Sequence, residues 1–106
     1  MTSFPIAKTA GVFWINREDW ARYVNLCVDG AKLPTTYSEW VSGAERVTQN
    51  LAREGWEVIK VDVDLAEFAA WCKANALDID KVARIRYANE IAAARIEARG
   101  QPGRGA

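Results

Sequence analysis

The chain has 106 residues, half of them hydrophobic, with five Trp, two Cys, no His and a net charge of zero from 14 basic and 14 acidic side chains. That length and mixture predict one globular domain with its own core and exclude a disordered chain. The lack of His removes the commonest general base and transition-metal ligand, and two separated Cys make neither a disulfide framework nor an all-thiolate zinc site.

Residues 1–10 read as a loose arm. Gly11–Ile15 (GVFWI) is short, aromatic and β-branched, as suits a strand. Asn16 reads as a helix N-cap, with Glu18 and Asp19 in the positive first turn; Trp20, Tyr23, Val24 and Cys27 then recur at helical spacing, and Gly30 ends the helix. Thr36-Tyr37-Ser38-Glu39 has the form of a capping box. It opens a helix to about Glu54, striped by Trp40, Ala44, Val47 and Leu51 and stopped by Gly55.

Trp56–Val63 is the clearest strand: Ile59, Val61 and Val63 share one face, and Trp56, Val58, Lys60 and Asp62 the other. Asp64 through Glu67 start a third helix with Leu65, Phe68, Ala69, Trp71 and Cys72 on its apolar side, ending near Asn75, which tolerates left-handed backbone. Asp78 or Asp80 caps a long last helix through about Arg99, Gly100 stops it, and residues 100–106 read as a disordered tail.

The order β-α-α-β-α-α predicts an α/β (or α+β) domain over residues 1–99, a two-stranded sheet packed with four helices. The connection between the strands is long enough for parallel pairing through a right-handed crossover; antiparallel pairing is the alternative. Cys27 and Cys72 sit in apolar helical patterns and read as free, buried thiols. The five Trp fall one in each of the first five elements and read mostly as core. Without a secretory h-region or an apolar run of membrane-spanning length, the expected location is the cytoplasm.

Three groups of residues are candidates for function. Asp62, Asp64 and Glu67 gather at a strand end, where carboxylates can hold Mg²⁺ or Ca²⁺ and serve a metal-dependent enzyme; helix capping accounts for the same residue types. Residues 65–99 form a helix-turn-helix-like pair in which Lys81, Arg84 and Arg86 would reach DNA phosphates. Residues 80–106 hold six cations against three anions, which supports that reading. Asp78 and Asp80 at the start of the second helix, and the missing turn glycine, favour a plain αα-hairpin. The last helix carries two stripes, Val82-Ile85-Asn89-Ala92-Ile96 and Ala83-Tyr87-Ile91-Ala94-Ala98. A helix apolar on two sides has more than one neighbour: either both stripes are covered within the monomer, or one meets a second copy packed around Ile91 and Ala94 as a homodimer. The candidate interaction surface is therefore Lys81, Arg84, Arg86, Tyr87, Ile91, Ala94 and Arg95.

The segments LPTTYSEWVSGAE (33–45) and VDVDLAEFAAWCKANALDIDKVARIRYANE (61–90) resemble stretches of small uncharacterised bacterial proteins, in which a Thr-Tyr-x-x-Trp helix start precedes a Glu-Phe-x-x-Trp-Cys helix. The resemblance implies no activity, ligand or site residue. With no nucleophile elbow, Gly-rich phosphate loop or cysteine metal cluster, the expectation is a non-enzymatic protein-binding or adaptor protein. It would need no cofactor and would take a protein partner; DNA binding and carboxylate catalysis are the alternatives.

Overall fold

A computed structural model describes residues 8–99. Strands β1 (Lys8–Trp14) and β2 (Trp56–Asp62) pair in parallel, with Lys8 opposite Trp56 and Trp14 opposite Asp62. Parallel neighbours need a crossover. Here helices α1 (Trp20–Leu26) and α2 (Tyr37–Arg53) make it, and α3 (Leu65–Ala74) and α4 (Lys81–Arg99) follow β2. The two-stranded, four-helix α/β reading holds, with parallel pairing of the two strands. Short 3₁₀ turns, Arg17–Asp19 and Gly30–Lys32, flank α1.

The helix ends form where the caps predict them. The Thr36 hydroxyl accepts the Glu39 N–H (3.1 Å) and the Glu39 carboxylate accepts the Thr36 N–H (3.2 Å), a complete capping box. Asp64 accepts the Glu67 N–H (3.0 Å), and Asp80, rather than Asp78, accepts the Ala83 N–H (3.0 Å) at the head of α4. Gly55 takes a φ of 94° after α2, a conformation in which a Cβ would be strained.

Other boundaries move, for identifiable reasons. β1 starts at Lys8, so residues 8–10 belong to the sheet and not to a loose arm. The rest of that arm, and the tail 100–106 with Gly100, lie outside the described residues. α1 stops at Leu26 because the Val28 N–H turns away to the Ile79 carbonyl (2.9 Å). Gly30 then opens a 3₁₀ turn, and a Cβ there would run into the Val24 carbonyl. At Asn16 it is the backbone carbonyl, not the side chain, that bonds the Asp19 N–H (3.0 Å). The left-handed residue after α3 is Ala76 (φ 55°) in place of Asn75, whose side-chain amide donates instead to the Trp71 carbonyl (2.8 Å).

One face of the sheet carries the core. Phe13, Ile15, Val61 and Val63 pack with Tyr23, Phe68, Cys72, Tyr87 and Ala88 from the helices. Burial of each large apolar side chain there contributes roughly 1.5–3 kcal/mol. The opposite face meets α2, where Trp14 stands edge-on to Trp40 with ring centroids 5.4 Å apart. α2 itself has no fully buried residue. It lies against the sheet as a lightly packed cover.

The tryptophans correct the core reading: Trp14 alone is buried, and Trp20, Trp40, Trp56 and Trp71 are half-buried. Cations lie over three indole faces, Lys60 on Trp14 (4.0 Å), Lys8 on Trp56 (4.8 Å) and Arg86 on Trp71 (5.5 Å). Ring quadrupole and alkyl stem both favour that arrangement. Among the described residues no helix is long and apolar enough to cross a membrane.

Candidate functional site

Both edges of the sheet run into α4. In a strand, the N–H and C=O of one residue point to one side and those of the next residue to the other. The Trp14 carbonyl accepts the Val63 N–H, so even-numbered groups of β1 face β2. Those of Thr9, Gly11 and Phe13 face outward. On that outer edge the Gly11 N–H donates to Asn89 Oδ1 of α4 (2.8 Å). Six residues further along the same helix, Arg95 donates to the Lys60 carbonyl on the outer edge of β2 (3.3 Å). Lys60 and Asp62 flank that bond, so the β2 edge is guarded by charge. On the β1 edge, the remaining outward groups of Thr9, Gly11 and Phe13 have no partner among the described residues.

This open edge forms the floor of a groove of about 470 Å³. Trp40, Val47 and Leu51 of α2 line one side, and Arg84, Ile85 and Asn89 of α4 the other. Val47 and Ile85 are each about half exposed. The apolar surface continues past the groove: Val28 and Val82, both largely exposed, line an adjoining depression. Val82 is one turn from Ile85 on α4, so the exposed aliphatic surface of that helix extends from the groove into the depression.

At the Phe13 end of the groove stands a polar cluster. Arg84 makes a two-pronged pair with Asp29 (Nη1–Oδ1 3.0 Å, Nη2–Oδ2 2.9 Å). The same guanidinium reaches Cys27 Sγ at 3.6 Å and lies 5.8 Å from the centre of the Tyr23 ring. Tyr23 is 1 % exposed, and its hydroxyl has no full hydrogen-bond partner among the described residues; the Cys27 thiol beside it is a weak one. Burial pushes the phenol and the thiol far toward their neutral forms, more than the Arg84 charge pulls them back.

The seven residues of the sequence-based surface do not form one exposed, free surface. Arg84 is tied to Asp29, Arg86 pairs with Glu90 (2.9 Å), and Arg95 is spent on the β2 edge. Tyr87 is buried and Ile91 packs against the core, which leaves Lys81 and Ala94 as the exposed members without such a bond. Ile91→Glu would therefore disturb folding as much as association. Of the acidic trio, the Asp64 carboxylate serves as the cap of α3, and no metal-binding group of three or more His, Cys, Asp or Glu occurs among the described residues. The groove and its open edge were not readable from the sequence. One signal pointed toward them: Asn89 is the polar break in an otherwise apolar stripe. No family model, curated protein or solved structure matches this chain.

The two thiols supply a chemical test of this packing. Cys27 and Cys72 are free and buried, and burial raises both above the ordinary thiol range. A raised acid stabilises the fold below its unfolded pKa of about 8.5 and loses that contribution as pH climbs toward the folded value. Stability is expected to fall above about pH 8.5. Ellman's reagent at neutral pH should label neither Cys before unfolding; prompt labelling of the native chain would contradict the packing.

Proposed function

We propose that the chain is a non-enzymatic protein-binding module and that it holds a polypeptide segment in the groove between α2 and α4. The observation that carries this reading is the conjunction of an open strand edge with half-exposed aliphatic walls. A monomeric surface of this kind ordinarily signals a recognition site. The last helix does not favour DNA, because Arg84, Arg86 and Arg95 are each engaged within the protein. A homodimer through α4 is second to the groove, since Ile91 is drawn into the monomer core.

The test is selection of a random nine-residue displayed peptide library on the full chain. Enriched peptides are expected to bind the wild type and to lose about tenfold or more in affinity against Val47→Glu, which puts a charge on the apolar wall without touching the core. Enrichment that Val47→Glu leaves unchanged would place binding elsewhere.

A further inference from the structure

A two-stranded sheet is marginal, and an unpaired edge is a template for another strand. Here α4 closes each edge at one point, Arg95 on β2 and Asn89 on β1; exposed Lys60 and Asp62 put charge beside the β2 edge, whereas the β1 edge lies in the apolar-walled groove. On β1 the closing group is a side-chain carbonyl. Asn89 Oδ1 sits 2.8 Å from the Gly11 nitrogen, where the backbone carbonyl of a third strand would sit. Thr9 and Phe13, two residues to either side, offer the next outward N–H and C=O groups of the same ladder.

We infer that the groove takes an extended peptide as a third strand on β1, with the peptide backbone displacing Asn89 from Gly11. The inference rests on the protein-binding reading above and specifies its partner. The occupant is an unflanked strand and not a second copy of this chain. In a second copy the β1 edge would lie equally deep between its own α2 and α4, and two recessed edges do not meet.

Charge selects the peptide further. The charged side chains lining the groove are Lys81 and Arg84, both cationic. Arg84 is neutralised by Asp29, and Lys81 has no ion-pair partner among the described residues. Phe13 lies 5.7 Å from Tyr23 between ring centres, and Tyr23 lies beneath Arg84, so this cationic end is the Phe13 end of β1. The fitting segment alternates apolar residues, whose side chains meet Val47 and Ile85, and carries a carboxylate where it passes Lys81.

The test uses the full ¹⁵N-labelled chain and the most enriched peptide from the library selection. On binding, the amides of Thr9 and Phe13 should become protected from hydrogen exchange. Asn89→Ala, which removes the competing acceptor, should tighten binding by about two- to tenfold. Lys81→Glu should weaken it by about tenfold, and less at high salt. If the peptide needs Val47 but leaves the Thr9 and Phe13 amides exchanging as before, or if Asn89→Ala does not tighten it, strand addition is wrong and the groove reading stands. If no peptide is enriched, or Val47→Glu is without effect, both fail.

Discussion

Gly11→Ala should lower the thermal midpoint by about 15 °C or more, whereas Gly43→Ala should raise it slightly. α4 crosses β1 at Gly11 with backbone against backbone. A Cβ at that position would overlap the carbonyl of Ala88 and come to 3.1 Å from the Ala92 side chain. The atom in the way is main chain in the middle of a helix, so no rotamer change relieves the overlap. The whole of α4 would have to lift, and with it Ala88 and Tyr87 from the core and Asn89 from the strand edge. Overpacking of this kind costs about 3 kcal/mol, a large share of the roughly 5–15 kcal/mol that holds such a domain together. A domain of this size loses about 4–8 °C per kcal/mol. Gly43 is the control. It lies within α2, nothing stands within 4 Å of the Cβ it would gain, and Ala is the better helix former by about 1 kcal/mol. Equal effects of the two substitutions, read by calorimetry, would mean that α4 does not lie on β1 as described.

The contrast between those glycines marks where the sequence was informative. Local chemistry was legible: Thr36 with Glu39, Asp64, Asp80 and Gly55 each bound a helix in the manner their side chains or backbone freedom predict. These are interactions over three or four residues, and nothing tertiary competes with them. Boundaries failed where a distant partner outbid the local one. Leu26 ends its helix early because Val28 finds Ile79 across the molecule. The tryptophans misled because a large apolar side chain satisfies the core pattern whether its outer face is covered by protein or by a lysine. The candidate site was the least legible part. Its floor is a strand edge, its walls come from side chains more than 30 residues apart, Leu51 and Arg84 being the nearest in sequence, and no spacing rule connects Val47 to Ile85. Arg84 illustrates the same limit, for a cation on an exposed-looking helix reads as a surface contact until Asp29, 55 residues earlier, is placed beside it.

Arg84→Met should destabilise the fold by about 3 kcal/mol, and most of that loss should vanish when Asp29 is replaced by Asn in the same chain. The pair is largely withdrawn from water, with side chains 12 % and 19 % exposed, and both carboxylate oxygens are engaged. Removing one partner strands the other charge in a poorly solvated position, which costs more than the pair itself contributes. The double variant has no stranded charge, so the double-mutant cycle isolates the coupling. The pH dependence has a definite sign. The two Arg84 hydrogen bonds hold the Asp29 carboxyl below the ordinary carboxylate range. A depressed acid contributes its stability above the unfolded pKa of about 3.9 and loses it as pH falls toward the folded value. The gap between wild type and Asp29→Asn should therefore be constant from pH 7 to about pH 5 and close below about pH 4. Denaturant titrations at pH 7, 5 and 3 read this directly, and a gap that persists undiminished at pH 3 would show that the Asp29 charge is not what Arg84 holds.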